Sequence, residues 1–227
     1  MEVKIMDYGN MLGDSFEYVK EAVLDKWLKW ILLIIPFMAP GYAFQIYKGT
    51  KPAPEINDWG ANFINGIKIF IIGLFYAIPI IIVGFIFLLP LIFAALSQNT
   101  SAVVAGIGSA LLGLLICIIL AIIIAIILPI ALIRFARTES FSEAFNVGAI
   151  FAKIGNIGWG SYIIAWIALI IAGIIFAIIV GIVVIILMII PIIGWILSFI
   201  LELLLSPAAA IFIARYWTQV FDSAGVA

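Results

Sequence analysis

Glu202 is the residue of this sequence that most invites chemistry. It sits in SFILELLLSPAAAIFIARYW, residues 198–217, within an apolar run from Ile189 to Ile213 that holds no other charge. An ionised carboxylate at mid-bilayer costs several kcal/mol, so such a group is protonated, paired or turned to a cavity. Ser198 lies four residues back, on the same helical face, so the two can form one polar spot. Arg215 is 13 residues on, roughly 20 Å along one helix, and too far to pair within it. Pro207 removes an amide and can free a backbone carbonyl nearby. Three roles stand open. Glu202 couples a proton or cation, makes an interhelical hydrogen bond as a protonated acid, or faces a neighbouring copy. With no histidine in the chain and no second acid in mid-membrane, it makes a poor relay, and the hydrogen-bonding role leads.

Other chemistry is sparse. The absence of histidine removes His-based triads, His metal sites and His proton relays together. The single cysteine, Cys117 in LLICIILAI, reads as a small buried hydrophobe. GNIGWG (155–160) lacks the lysine and serine of a phosphate loop, and no GxSxG, HExxH or CxxC pattern occurs. No catalytic residue, metal ligand or cofactor is therefore expected, and the chain reads as a non-enzyme. A lipid-acting enzyme would need acids clustered at the interface. Asp14, Glu17 and Asp58 could meet there, but nothing in their spacing requires it. The net charge of −1, with no basic patch, gives no footprint for nucleic acid.

The elements that carry these residues follow from composition. The 227 residues are 67% hydrophobic and 10% charged, with a mean hydropathy of +1.37. A soluble domain of this size cannot hide that much apolar surface, so the expected partner is the lipid bilayer. No polar linker divides the chain, which reads as one all-α membrane domain over 1–227. A crossing helix needs about 20 apolar residues. Four runs meet this: 63–96, 102–133, 157–190 and 191–213. The start, MEVKIMDYGN, has no signal-peptide pattern, so insertion is expected to use the spans themselves.

A fifth segment, WILLIIPFMAPGYAFQIY (30–47), is broken by Pro36, Pro40 and Gly41. It either crosses or enters and returns as a proline-broken hairpin. Basic residues favour the cytoplasmic side. They lie at Lys4, Lys20, Lys26 and Lys29, at Lys48 and Lys51, at Arg134, Arg137 and Lys153, and at Arg215. Placing them all on one side makes 30–47 re-entrant, leaves four full spans and puts both termini in the cytoplasm. Arg134, Arg137, Arg215 and Lys68 then sit at span ends, where they can also hold lipid phosphates. Trp27, Trp30, Trp59, Trp159 and Trp195 fall where an interfacial aromatic belt is expected.

Two stretches flanking the spans are amphipathic, 10–29 and 138–154. In the first, Leu12, Phe16, Val19, Val23, Trp27 and Trp30 form one stripe, and Asp14 with Glu17 has capping-box spacing. Ser140 with Glu143 has it in the second. Such helices lie in the membrane interface or pack along the ends of the bundle. Asp14-Ser15-Phe16 and Glu139-Ser140-Phe141 suggest a weak internal repeat, each opening an amphipathic helix. Within the spans, Gly173, Ala177 and Gly181 follow small-xxx-small spacing, as do Gly106 with Ala110 and Gly73 with Ala77. These faces allow tight folding, self-association to a homo-oligomer, or both.

The segment IPFMAPGYAFQIYKGTKPAPEINDWGANFINGIKIFIIGLFYAIP carries a family pattern. A proline-broken hairpin leads to Gly41-Tyr42, then a short basic link, Pro54, Glu55, Asp58 and Trp59, and Gly66 at the head of a long span. It resembles the archaeal membrane proteins of domain of unknown function 4013. The resemblance implies a polytopic membrane protein and carries over no catalytic residue. The function expected is a structural, assembly or membrane-shaping role through helix packing and self-association. The alternative is a small transporter or channel subunit with Glu202 as its coupling group.

Overall fold

A computed structural model describes residues 6–97 and 99–224; Lys4 and Gln98 lie outside them. Among the described residues the regular structure is helical throughout: α1 (Tyr8–Val23), α2 (Trp27–Leu33), α3 (Met38–Tyr47), α4 (Trp59–Leu96), α5 (Thr100–Thr138), a 3-10 turn (Phe141–Phe145), α6 (Val147–Ile157), α7 (Trp159–Leu187) and α8 (Ile193–Asp222). The helices α4, α5, α7 and α8 are each long and apolar enough to cross a membrane, and α2 with α3 forms a pair bent by 107°. The chain is therefore a multi-pass membrane protein by length and composition. It divides into two compact units, 71–129 and the remainder.

The smaller unit is the hairpin formed by α4 from Ile71 and α5 as far as Pro129. Its helices are zipped along their length by small residues. A Cβ on Gly106 would stand 2.7 Å from Leu91 Cα, and one on Gly113 2.2 Å from Phe87 Cβ. Between them Ser109 donates to the Phe87 carbonyl at 3.0 Å. Farther along, the Cys117 thiol reaches the Ile80 carbonyl at 3.6 Å. Hydrogen bonds of this kind are the glue expected of a lipid-embedded helix pair. Pro79, Pro90 and Pro129 lie inside the helices without ending them.

The larger unit has a packed root. Its fully buried side chains include Tyr18 on α1, Leu33 on α2, Tyr42 and Ile46 on α3, Ile150 and Ile154 on α6, Tyr162 on α7, and Tyr216 and Trp217 on α8. Gly66 lets α4 approach the chain before α3 closely, since a Cβ there would fall 1.8 Å from the Phe37 carbonyl oxygen. Phe37 itself has a left-handed φ of 69°. Its ring meets Phe63 and Phe70 edge-on, with centroids 5.6 and 5.4 Å away.

Several expectations about local structure are overturned. The 10–29 stretch is two helices, broken at Leu24–Lys26 where Asp25 takes a φ of 60°. The first helix, which begins at Tyr8, is capped by Asp7, whose side chain accepts from the Asn10 amide at 2.9 Å. Asp14 therefore lies two turns inside the helix and is no cap. The face of α1 that packs is Ser15, Tyr18, Ala22 and Val23, while Phe16 is 56% exposed. Small Ser15 and Ala22 let α8 come close, and the larger Phe16 is turned outward. The second stretch opens as a 3-10 turn with no side-chain cap from Ser140; its hydroxyl pairs with that of Ser142 at 2.9 Å, and the Glu143 carboxylate pairs with Arg134. Glu139-Ser140-Phe141 and Asp14-Ser15-Phe16 thus stand in different local structures, and the triplet marks no structural repeat.

Candidate functional site

Past Pro207, α8 leaves its apolar run and ends in ARYWTQVFD (214–222). Arg215 is the centre of this end. Its Nε donates to Asp14 Oδ2 at 2.7 Å, and its guanidinium lies over the Tyr18 ring, 5.0 Å from the centroid. Lys51 Nζ takes the other Asp14 oxygen at 2.5 Å. The Arg215 side chain is only 9% exposed, and a stacked, paired arginine at such a site is part of the packing. Burial alone would raise the Asp14 carboxyl, but Arg215 and Lys51 outweigh it and hold the group below its ordinary value. The Tyr18 hydroxyl donates to the Thr50 carbonyl at 2.9 Å, and burial pushes its phenol up to about 12.

Two further clusters extend this layer. Arg137 donates through Nε to the Tyr47 carbonyl at 2.6 Å and through Nη2 to both oxygens of Asp222 at 2.9 and 2.8 Å. Lys48 pairs with Glu139 at 2.5 Å. That hydrogen bond, and the Lys48 and Lys68 charges, hold the Glu139 carboxyl below its usual range. Arg134 pairs with Glu143. Burial lowers the Lys153 ammonium, which lies over the Phe221 ring at 4.2 Å. All three arginines proposed for lipid phosphates are therefore engaged by carboxylates. Lys68 is exposed on α4.

The bent α2–α3 pair brings a side chain from each of its helices to one carbonyl. Lys29 on α2 and Tyr42 on α3 both donate to Pro54 O, each at 2.8 Å. Lys26 pairs with Glu55 at 2.5 Å, and it is chiefly this hydrogen bond that lowers the Glu55 carboxyl. Trp30 donates its indole N–H to the Leu204 carbonyl at 2.7 Å, next to the break that Pro207 makes in the α8 ladder. It serves that backbone rather than a headgroup. Trp27 is 70% exposed, Trp59 40%, Trp159 45% and Trp195 71%, and the last three stand at or near the starts of α4, α7 and α8.

Glu202 and Ser198 do not form one spot. Glu202 is exposed on α8, whereas Ser198 is buried and its Oγ has no hydrogen-bond partner. A four-residue step rotates by about 40°. That is enough to carry Glu202 out of the buried strip that holds Gly194 and Ser198. The small-residue faces also part company. Gly106 is packed, while the space around Gly173, Gly181 and Gly73 is open to 4 Å, and Ala177 is exposed. Ala77 and Ala110 are half-buried.

The sequence reading missed the Asp14–Lys51–Arg215 cluster, which joins residues far apart in the chain and leaves no periodic signal. It also missed buried Asn62, which donates to the Met38 carbonyl at 2.9 Å and accepts from Gln45 at 3.2 Å. The packed partner of Gly106 was accessible, since Gly106, Ser109 and Gly113 recur on one face. No three His, Cys, Asp or Glu side chains lie together as a metal site among the described residues.

No curated protein and no solved structure matches the chain. Residues 28–185 match the family model described as Protein of unknown function (DUF4013). They take in the bent α2–α3 pair, the link that receives Lys29 and Tyr42, the α4–α5 hairpin and α7 almost to its end, and on that match the chain belongs to the DUF4013 family.

Proposed function

We propose that this protein is a non-enzymatic component of an archaeal cell membrane that acts by helix packing and self-association, as a structural, assembly or membrane-shaping element. One observation carries the reading. The apolar core of α7 has no buried residue within a single chain, and its Gly173, Ala177 and Gly181 present a face on which another backbone can lie closely. Glu202, exposed on the neighbouring helix α8, is then available to hydrogen-bond to a second copy. Both termini are assigned to the cytoplasm, because α1 and the end of α8 share one layer with Lys48, Lys51, Arg137 and Arg215. The bilayer and other copies of the chain are its partners, and nucleic acid is not.

The test is the mass and shape of the gently solubilised protein, by light scattering with electron microscopy of the same sample. A regular homo-oligomer that falls apart in a Gly173→Leu, Gly181→Leu variant supports the proposal. A monodisperse monomer whose vesicles take up protons, with uptake lost in Glu202→Gln, would replace it with coupled transport.

A further inference from the structure

A cleft of about 260 Å³ opens where α2 begins. Part of its lining is charged. Lys26 Nζ lies 2.5 Å from Glu55 Oε1, Lys29 Nζ lies 3.6 Å from Glu55 Oε2, and Asp25 adds a second carboxylate to the lining. The rest of the lining is apolar: Leu28, Leu32 and Ile56, with the exposed rings of Trp27 and Trp59. A cleft lined by both charged and apolar side chains has the chemistry of one amphiphile. Tryptophan walls place it at the depth where lipid headgroups lie.

The charges narrow the class. Two lysines face two carboxylates, so the lining sums to zero. Lys29 is committed, 8% exposed and donating to Pro54 O at 2.8 Å. Lys26 and Glu55 are 36% and 55% exposed and can exchange partners at little cost, as surface ion pairs do. A purely anionic headgroup that took Lys26 would leave Glu55 beside a phosphate, like charge against like. A headgroup bearing both a phosphate and an ammonium re-pairs each ion, the phosphate on Lys26 and the ammonium on Glu55, with tryptophan faces beside the cation. We infer that this cleft binds a phospholipid whose headgroup carries both a phosphate and an ammonium, with its hydrocarbon chain along Leu28, Leu32 and Ile56.

Native mass spectrometry of the full chain in mild detergent tests this, with phosphatidylethanolamine and phosphatidylglycerol of identical chains added in equal amounts. The ethanolamine lipid is expected to be retained preferentially. Lys26→Gln and Glu55→Gln should each lower its retention by about threefold, while Glu139→Gln, which breaks a surface pair elsewhere, leaves it unchanged. Thermal melts of the same samples identify any loss due to unfolding. Equal or greater retention of the glycerol lipid would overturn the inference, as would a Glu55→Gln variant that binds as well as the parent. Soluble phosphoethanolamine separates headgroup from lipid. If it competes as strongly as the whole lipid, the apolar trough is not part of the site and the lipid assignment is lost.

Discussion

The α4–α5 and α7–α8 hairpins are built from nearly the same alphabet and are held by different means. In the first, Gly106 and Gly113 are used up between the two helices, and Ser109 and Cys117 donate to carbonyls across the contact. In the second, Gly173 and Gly181 meet nothing, and Ser198, the one buried hydroxyl of α8's apolar run, makes no hydrogen bond. The α7–α8 pair is gripped at its root instead. Tyr216 donates to the Ala165 carbonyl at 2.7 Å, Trp217 packs at a tilt against Tyr162 and Trp166, and α1 locks Arg215 and Gln219. Lipid gives helices no hydrophobic reason to associate, so small residues and polar contacts decide where they join. A small-residue face spent inside one hairpin is closed to partners, and an unspent face is available to them.

The largest expected effect breaks the zipped hairpin. Gly106→Ala and Gly113→Ala drive a methyl into Leu91 and Phe87 and should each cost about 1–3 kcal/mol. Gly173→Ala and Gly181→Ala enter open space and should gain up to about 1 kcal/mol from helix propensity. Thermal unfolding of the four variants in one detergent reads both halves of the comparison. Equal losses at all four sites would mean the α7 face is also packed within the chain.

Next in size is the root clamp. Asp14→Asn removes the carboxylate that joins α1 to Arg215 and should cost about 1–2 kcal/mol at neutral pH. The folded-state pKa of Asp14 is depressed, so its contribution is complete above the unfolded-state value near 4 and is lost as pH falls through the lower folded-state value. The difference between parent and variant should therefore shrink in acid. A difference that stayed constant down to about pH 2 would assign the loss to packing rather than to charge.

Much of this was legible in the sequence, for physical reasons. The spans start close to where apolarity starts, Phe63 against Trp59 at the widest, because lipid imposes one requirement on every residue of a span. Helix ends were less legible. Apolarity stops at Ile133 and Ile213, while α5 runs to Thr138 and α8 to Asp222. In these extensions Arg137 and Arg215 pair with carboxylates from distant segments. The stripe over 10–29 misled because Phe16 on α1 and Trp27 on α2 are apolar and yet face outward. Periodicity identifies an apolar face without saying whether protein or lipid covers it. Glu202 was correctly singled out as the lone acid of its run, but its separation from Ser198 depends on which strip of α8 is covered, and no spacing rule encodes that.

A smaller effect concerns association. Gly173→Leu with Gly181→Leu should leave the unfolding of one chain almost unchanged and weaken self-association by about tenfold, the scale of a single close-packed membrane contact. Sedimentation or light scattering across a dilution series in detergent checks it. The matching change at Gly106 would instead unfold the α4–α5 hairpin, so a shared phenotype would erase the contrast between the hairpins.

The smallest expected effect belongs to Ser198. Its hydroxyl is buried with no partner, and an unsatisfied buried group destabilises by about 1 kcal/mol or more. Ser198→Ala fills nearly the same volume and removes the group, so it should be neutral or stabilising by up to about 1 kcal/mol. The carbonyl of Gly194, one turn back, is the acceptor a serine in a helix most readily reaches. Were that bond made in the membrane, alanine would still cost almost nothing, because the bond is local and ties no second helix. A clear loss in Ser198→Ala, measured by chemical unfolding in detergent, has a different meaning. It requires that the hydroxyl hold α7, and the α7–α8 hairpin would then be zipped by a polar contact as α4–α5 is. The distinction between a spent and an unspent hairpin would fall with it, and Gly173 and Gly181 would lose their standing as the face that meets a second copy.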